Sequence, residues 1–133
     1  MRITLESDYA LRILASMAEY DGVTDAKTIS SDTSVTLRFT LKILNKLVQG
    51  GIVESFKGAR GGYKLKASPT DISLKRVIEL IDGPIAISRC VESEGGCSLN
   101  YDKTACKLHH IFDGVSSELA RKLDRITISD LLS

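Results

Sequence analysis

The feature that most constrains this chain is a basic amphipathic stretch that runs straight into a glycine-rich turn. Thr36 to Gln49 carries apolar residues at helical spacing, with Leu37, Leu41, Leu44 and Val48 as its stripe. Thr36 reads as the N-cap and Gly50-Gly51 as the C-terminal stop. Arg38, Lys42, Asn45 and Gln49 recur at the same spacing on another face. Two short strand candidates follow, Ile52 to Lys57 and Tyr63 to Lys66. Gly58-Ala59-Arg60-Gly61-Gly62 joins them as a hairpin tip with one arginine. Upstream, Ser7 to Tyr20 is apolar on most sides and reads as a buried helix, with Ser7 as N-cap and Asp8 in the first turn. Asp25 to Ser31 reads as a short second helix. Helix, short helix, turn, helix, hairpin is the order of a winged helix-turn-helix, which residues 1–66 are expected to form.

Ser68-Pro69 then breaks the chain. Ile72 to Ile81 reads as a helix capped by Ser73 and stopped at Gly83-Pro84. Residues 85–105 carry no periodicity. From about Ala105 a longer helix is expected, with Leu108, Ile111, Phe112, Val115, Leu119, Leu123 and Ile126 as a stripe long enough for a partner helix. The expected fold class is mainly α with a small β-hairpin wing: a winged helix-turn-helix plus a long dimerisation helix. Residues 67–133 would form the cysteine-containing sensor loop and that helix, in one compact chain.

Charge is distributed unevenly. The net charge is only +1, yet residues 34–66 hold Arg38, Lys42, Lys46, Lys57, Arg60, Lys64 and Lys66 against a single acidic residue, Glu54. Such a local basic patch is the electrostatic footprint of nucleic-acid binding. Early positions of a major-groove helix reach bases, so Thr36, Arg38 and Lys42 are the base-reading candidates, with Asn45 on the same face. Arg60 suits an adjacent minor groove, and Lys57 and Lys64 suit phosphates. The N-terminus MRITLESDYALR has no apolar signal region, and no run reaches membrane-spanning length, so a cytoplasmic protein is expected.

All three cysteines, Cys90, Cys97 and Cys106, fall in one short stretch with Gly95 and Gly96 beside Cys97. In a reducing compartment an odd number of thiols points to metal or redox chemistry rather than a disulfide framework. Six residues separate the first pair and eight the second, so neither has the two-residue gap of a zinc knuckle. Wide spacing on a loop leaves room for an iron–sulfur cluster, with zinc or free thiols as alternatives. His109 lies three residues after Cys106 and would share its helical face; Asp8 and His110 are further fourth-ligand candidates.

These residues resemble the Rrf-two family of transcription regulators, the IscR/NsrR type, over nearly the full length. MRIT…SDYALR, VTLRFTLKILNKLVQGGIVES, KGARGGYKL, ISLKRVIELIDGP, the three cysteines after it and ITISDLL carry the likeness. The resemblance implies a homodimer on a palindromic double-stranded DNA operator, with Cys90, Cys97 and Cys106 as ligands of an iron–sulfur cluster, 2Fe–2S or 4Fe–4S. In the branch that regulates iron–sulfur assembly a histidine three residues after the last cysteine completes the ligand set, and His109 matches. In the nitric-oxide-responsive branch an aspartate of the partner subunit does so, and Asp8 matches. The chain has both, and SDYALR is the longer match.

The reading that follows is a cytoplasmic, dimeric, iron–sulfur-dependent repressor that responds to nitric oxide, redox state or iron–sulfur status. One alternative is a zinc- or thiol-switched DNA-binding regulator without a cluster. Another, from a different class, is a small thiol oxidoreductase or cluster carrier. Against it, the chain has no CxxC, no nucleotide-binding glycine loop and no nucleophile–base constellation.

Overall fold

The computed structural model describes residues 2–92 and 103–132; Cys97 lies outside them. Helix α1 (Leu5–Ala18) is the hub, packing against α2 (Ala26–Thr33), α3 (Leu37–Gln49), α4 (Leu74–Asp82), the second hairpin strand and a C-terminal 3-10 turn (Ile128–Leu131). Its inward residues Ala10, Ile13 and Leu14 are fully buried and Met17 nearly so. Ile29, Ile43, Leu44, Leu47, Ile52, Val53, Ile72, Val77 and Ile128 close around them in one core.

Local chemistry sets the helix starts. The side chains of Asp25, Thr36 and Ser73 accept the N–H groups of Thr28, Phe39 and Arg76, so each satisfies an otherwise orphaned donor. The Thr28 N–H also holds the Asp25 carboxyl below its usual range. Helix α1 starts earlier than its sequence pattern suggests. Thr4, not Ser7, is its N-cap, accepting the Ser7 N–H at 3.1 Å, and Ser7 is buried within the first turn. Thr4 is itself held by Asp82 at the far end of α4, to which its N–H donates at 3.1 Å. At the other end of α1, the Tyr20 hydroxyl donates to Asp32 of α2, and this bond raises the phenol above its usual range.

The apolar stripe of α3 is also shifted. Thr40, Ile43, Leu44 and Leu47 are buried, whereas Leu37 and Leu41 are exposed. Packing against α1 and α2 selects the inward face, and it lies one residue round from the face that the leucines alone suggest.

Strands β1 (Val53–Phe56) and β2 (Gly62–Leu65) pair antiparallel, with Val53 opposite Leu65 and Phe56 opposite Gly62. Thr24 adds a bridge to Tyr63 through two backbone hydrogen bonds of 2.8 and 2.9 Å. That bridge explains one glycine. Gly62 has φ +154°, and a Cβ there would stand 2.5 Å from the Thr24 carbonyl oxygen.

The short helix α5 (Arg89–Glu92) and the long helix α6 (Lys107–Arg125) pack together, and α6 also packs on α4. The C-terminal end of α6 is stitched to the start of α4. Leu74 N–H donates to Ile126 at 2.8 Å and Ile128 N–H to Ile72 at 2.9 Å, which seats Ile128 in the core beneath α1.

Ile128→Ala should cost about 2–5 kcal/mol, the range for deleting a buried aliphatic group, and Gly62→Ala about 1–3 kcal/mol, from forced backbone displacement. Urea unfolding is the check, with Leu131→Ala, at an exposed site, staying within about 0.5 kcal/mol of the parent.

Candidate DNA interface and thiol site

Helix α3 and the hairpin present the sequence-selected polar residues to solvent. Thr36, Arg38, Lys42 and Asn45 on α3, and Lys57, Arg60 and Lys64 on the hairpin, are all exposed. Thr36 spends its oxygen on the Phe39 N–H at 3.3 Å but keeps its hydroxyl hydrogen as a donor. The Lys42 ammonium lies 5.6 Å from the centroid of the Phe39 ring, which packs edge-on against Tyr9 of α1. The aromatic pair thus props one cation of the outward face. Arg60 stands at the hairpin tip, where the Gly61 N–H donates to the Gly58 carbonyl at 2.9 Å and closes the turn.

Two members of the basic stretch are partly spoken for. Lys46 is paired with Glu6 of α1 at 2.6 Å and turns toward the body of the protein. Lys64 lies directly across the hairpin from Glu54. Arg38, Lys42, Lys57 and Arg60 therefore carry most of the available positive charge of this surface.

Cys90 and Cys106 belong to elements that pack together, α5 and α6. Cys90 sits in α5, half-buried, with its Sγ 3.1 Å from the Ser88 hydroxyl. Cys106 is the N-cap of α6, and its Sγ accepts the His109 N–H at 3.5 Å. The packing of α5 on α6 brings the two cysteine-bearing elements together. Among the described residues no three His, Cys, Asp or Glu side chains are placed to hold a metal, a set that cannot include Cys97.

The fourth-ligand candidates differ. His109 faces inward on α6, and among the described residues its buried Nδ1 has no hydrogen-bond partner. A buried imidazole nitrogen left unpaired is costly unless something completes it. Asp8 is engaged with Arg12 at 2.9 Å, one helical turn away. His110 points elsewhere, with its Nε2 2.7 Å from the Thr104 carbonyl. Thiol and imidazole are donor types that an iron–sulfur cluster accepts.

Sequence reasoning passed over Ser116. It stands among Phe112, Leu119 and Leu123 on the inner face of α6, is 2% exposed, and accepts the Ile87 N–H at 2.9 Å. This bond pins the segment leading into Cys90 against α6. The available signal was a serine at a helical position where the stripe calls for an apolar residue. The stripe itself divides into two faces. Phe112, Leu119, Leu123 and Ile126 are partly covered, while Leu108, Ile111 and Val115 are 57, 60 and 46% exposed.

A winged helix-turn-helix joined to a long carboxyl-proximal helix is the architecture that relatives share. The family described as Rrf2, iron-dependent transcriptional regulator, matches residues 3–133. The chain belongs to this family. An rrf2-like HTH-type transcriptional regulator of Rhodobacter capsulatus is 30% identical over 98% of the chain and 92% of its own length. The HTH-type transcriptional regulators IscR of Aliivibrio salmonicida and NsrR of Halalkalibacterium halodurans are 28 and 26% identical, covering 99 and 100% of the chain and 77 and 91% of their own lengths. The fold is that of CymR, the global cysteine regulator of B. subtilis, with a TM-score of 0.78 at 23% identity over 98% of this chain and 95% of that one. Membership makes the protein a DNA-binding transcriptional regulator rather than an enzyme, and the oxidoreductase or carrier reading falls. No helix among the described residues is long and apolar enough to cross a membrane.

The pairing of Lys46 gives a testable contrast. Lys46→Gln should leave the salt dependence of DNA binding nearly unchanged, whereas Lys57→Gln should lower its slope by about one for each subunit bound. Affinities titrated over a range of salt concentrations check this.

Proposed function

We propose that the protein is a cytoplasmic homodimeric repressor whose DNA binding depends on an iron–sulfur cluster held by Cys90, Cys97 and Cys106. The observation that carries this reading is the His109 Nδ1, buried with no hydrogen-bond partner among the described residues, on the residue whose backbone N–H reaches Cys106 Sγ. It moves the weight for the fourth ligand from Asp8 to His109. When bound, the cluster supplies a centre that nitric oxide, oxidants or iron shortage can modify or remove.

The chain's own residues do the rest. Residues 1–66 serve as the DNA-binding region and 67–133 as the sensor loop and dimerisation helix. Ser116 holds the approach to Cys90 against α6, and Cys106 starts that helix. Tension between the two thiols therefore acts on the N-terminal end of α6. Its other end is bound to α4 and, through Ile128, to the core under α1. Helix α1 packs directly on α3. A small rotation of α6 would thus shift α3 of one subunit relative to its mate.

Leu108, Ile111 and Val115 supply the apolar face for the second copy. Two winged helices related by a two-fold axis would read half-sites of a palindrome about 34–36 Å apart or a multiple of it. A cluster can shift the equilibrium only through different affinity for the two arrangements, and about 1.4 kcal/mol gives a tenfold change in binding.

Anaerobic purification with a visible spectrum and iron, sulfide and zinc assays tests the cofactor. Brown protein with iron and acid-labile sulfide is expected. Colourless protein with zinc, or with metal-free thiols that form a disulfide under peroxide, would replace the cluster with a zinc or thiol switch. Cys97→Ala should abolish the absorbance. His109→Ala should alter it more than Asp8→Asn does, and the reverse order would return the role to Asp8. Ile111→Asp should give a monomer by sedimentation. On DNA, Arg60→Ala should reduce sequence discrimination by about tenfold or more.

A further inference from the structure

Leu37 and Leu41 are the two large apolar side chains that α3 leaves in solvent, 37 and 42% exposed. They lie one helical turn apart on the flank of the outward face. Leu41 adjoins Arg38 three residues before it and Asn45 four residues after it, both exposed. The helix buries Thr40, Ile43, Leu44 and Leu47 instead, so these leucines take no part in its core contact. An exposed leucine among Arg38, Lys42 and Asn45 contributes nothing to phosphate binding. The pair is also too small to seat a partner helix, unlike the three-residue stripe of Leu108, Ile111 and Val115 on α6.

Double-stranded DNA is the ligand that matches both chemistries on one face. Its phosphates take the cations, and its major groove displays one apolar group, the 5-methyl of thymine. We propose that Leu41, supported by Leu37, is a specificity-determining residue that packs on a thymine methyl group in each half-site. The proposal deepens the functional reading above and rests on α3 being the major-groove helix. Arg38 and Asn45 beside it supply hydrogen bonds to neighbouring base edges, so the leucine sets the identity of a T·A pair between positions read by polar groups.

The test uses the full chain, purified and reconstituted anaerobically, to select duplexes from a random pool. Each thymine of the selected duplex is then replaced by deoxyuridine, which removes the methyl group and keeps every hydrogen bond. One position per half-site should weaken binding about fourfold, the value of one buried methyl-sized group. Leu41→Ala should lose affinity for the thymine duplex and show no further loss at that deoxyuridine. Leu41→Gln, reselected, should shift the preference there toward adenine. Both variants change an exposed side chain, and an unchanged unfolding midpoint confirms that the fold is kept.

The proposal is overturned if no deoxyuridine weakens binding, if Leu41→Ala suffers the same loss as the parent at the same thymine, or if Leu41→Ala dissociates the dimer. A protein that selects no duplex at all overturns the assignment of α3, and the proposal with it. That outcome is distinct from selection without methyl sensitivity.

Discussion

The burial of α1 is the constraint on which everything else depends. Ala10, Ile13, Leu14 and Met17 form a surface that α2, α3, α4, β2 and the C-terminal turn share. A helix covered on most sides cannot shift without moving its neighbours, because close-packed interiors have little free volume. Helices α3 and α6 touch this hub by different routes. Helix α3 packs on it directly, while α6 reaches it through α4 and through Ile128. The basic face of α3 and the thiol-bearing helix are thus joined by one core.

The polar contacts at the edges of that core fix its geometry. Thr4 and Asp82 tie the start of α1 to the end of α4, just before the segment that leads to Cys90. Glu6 and Lys46 tie α1 to α3. Ser116 ties residue 87 to the inner face of α6. Each bond joins elements distant in sequence. Exposed ion pairs add little stability alone. Here the Glu6–Lys46 pair joins α1 to α3 and so bears on how α3 lies on α1.

Much of the fold was legible because its signals are local. The limits of α3 follow from Thr36, a helical period and a glycine pair, and the structure has those same limits. The hairpin is announced by its glycines, and α4 by Ser73 and Gly83. What the sequence left undecided depends on distant partners. The leucine stripe and the true buried stripe of α3 overlap at Leu44, and only the packing of α1 and α2 chooses between them. Likewise, nothing near Lys46 in sequence reveals that Glu6 engages it. The thiols are neighbours in sequence, but the Nδ1 of His109, without a hydrogen-bond partner among the described residues, needed the inner surface of α6 to be seen.

Control of DNA affinity by the thiol site through the shared core is the central proposal. The decisive measurement is the affinity of one selected duplex, titrated anaerobically, for cluster-loaded protein and for the same protein stripped by chelation. The account predicts at least a tenfold difference, with both forms dimeric and equally folded. Equal affinities in the two states would contradict it.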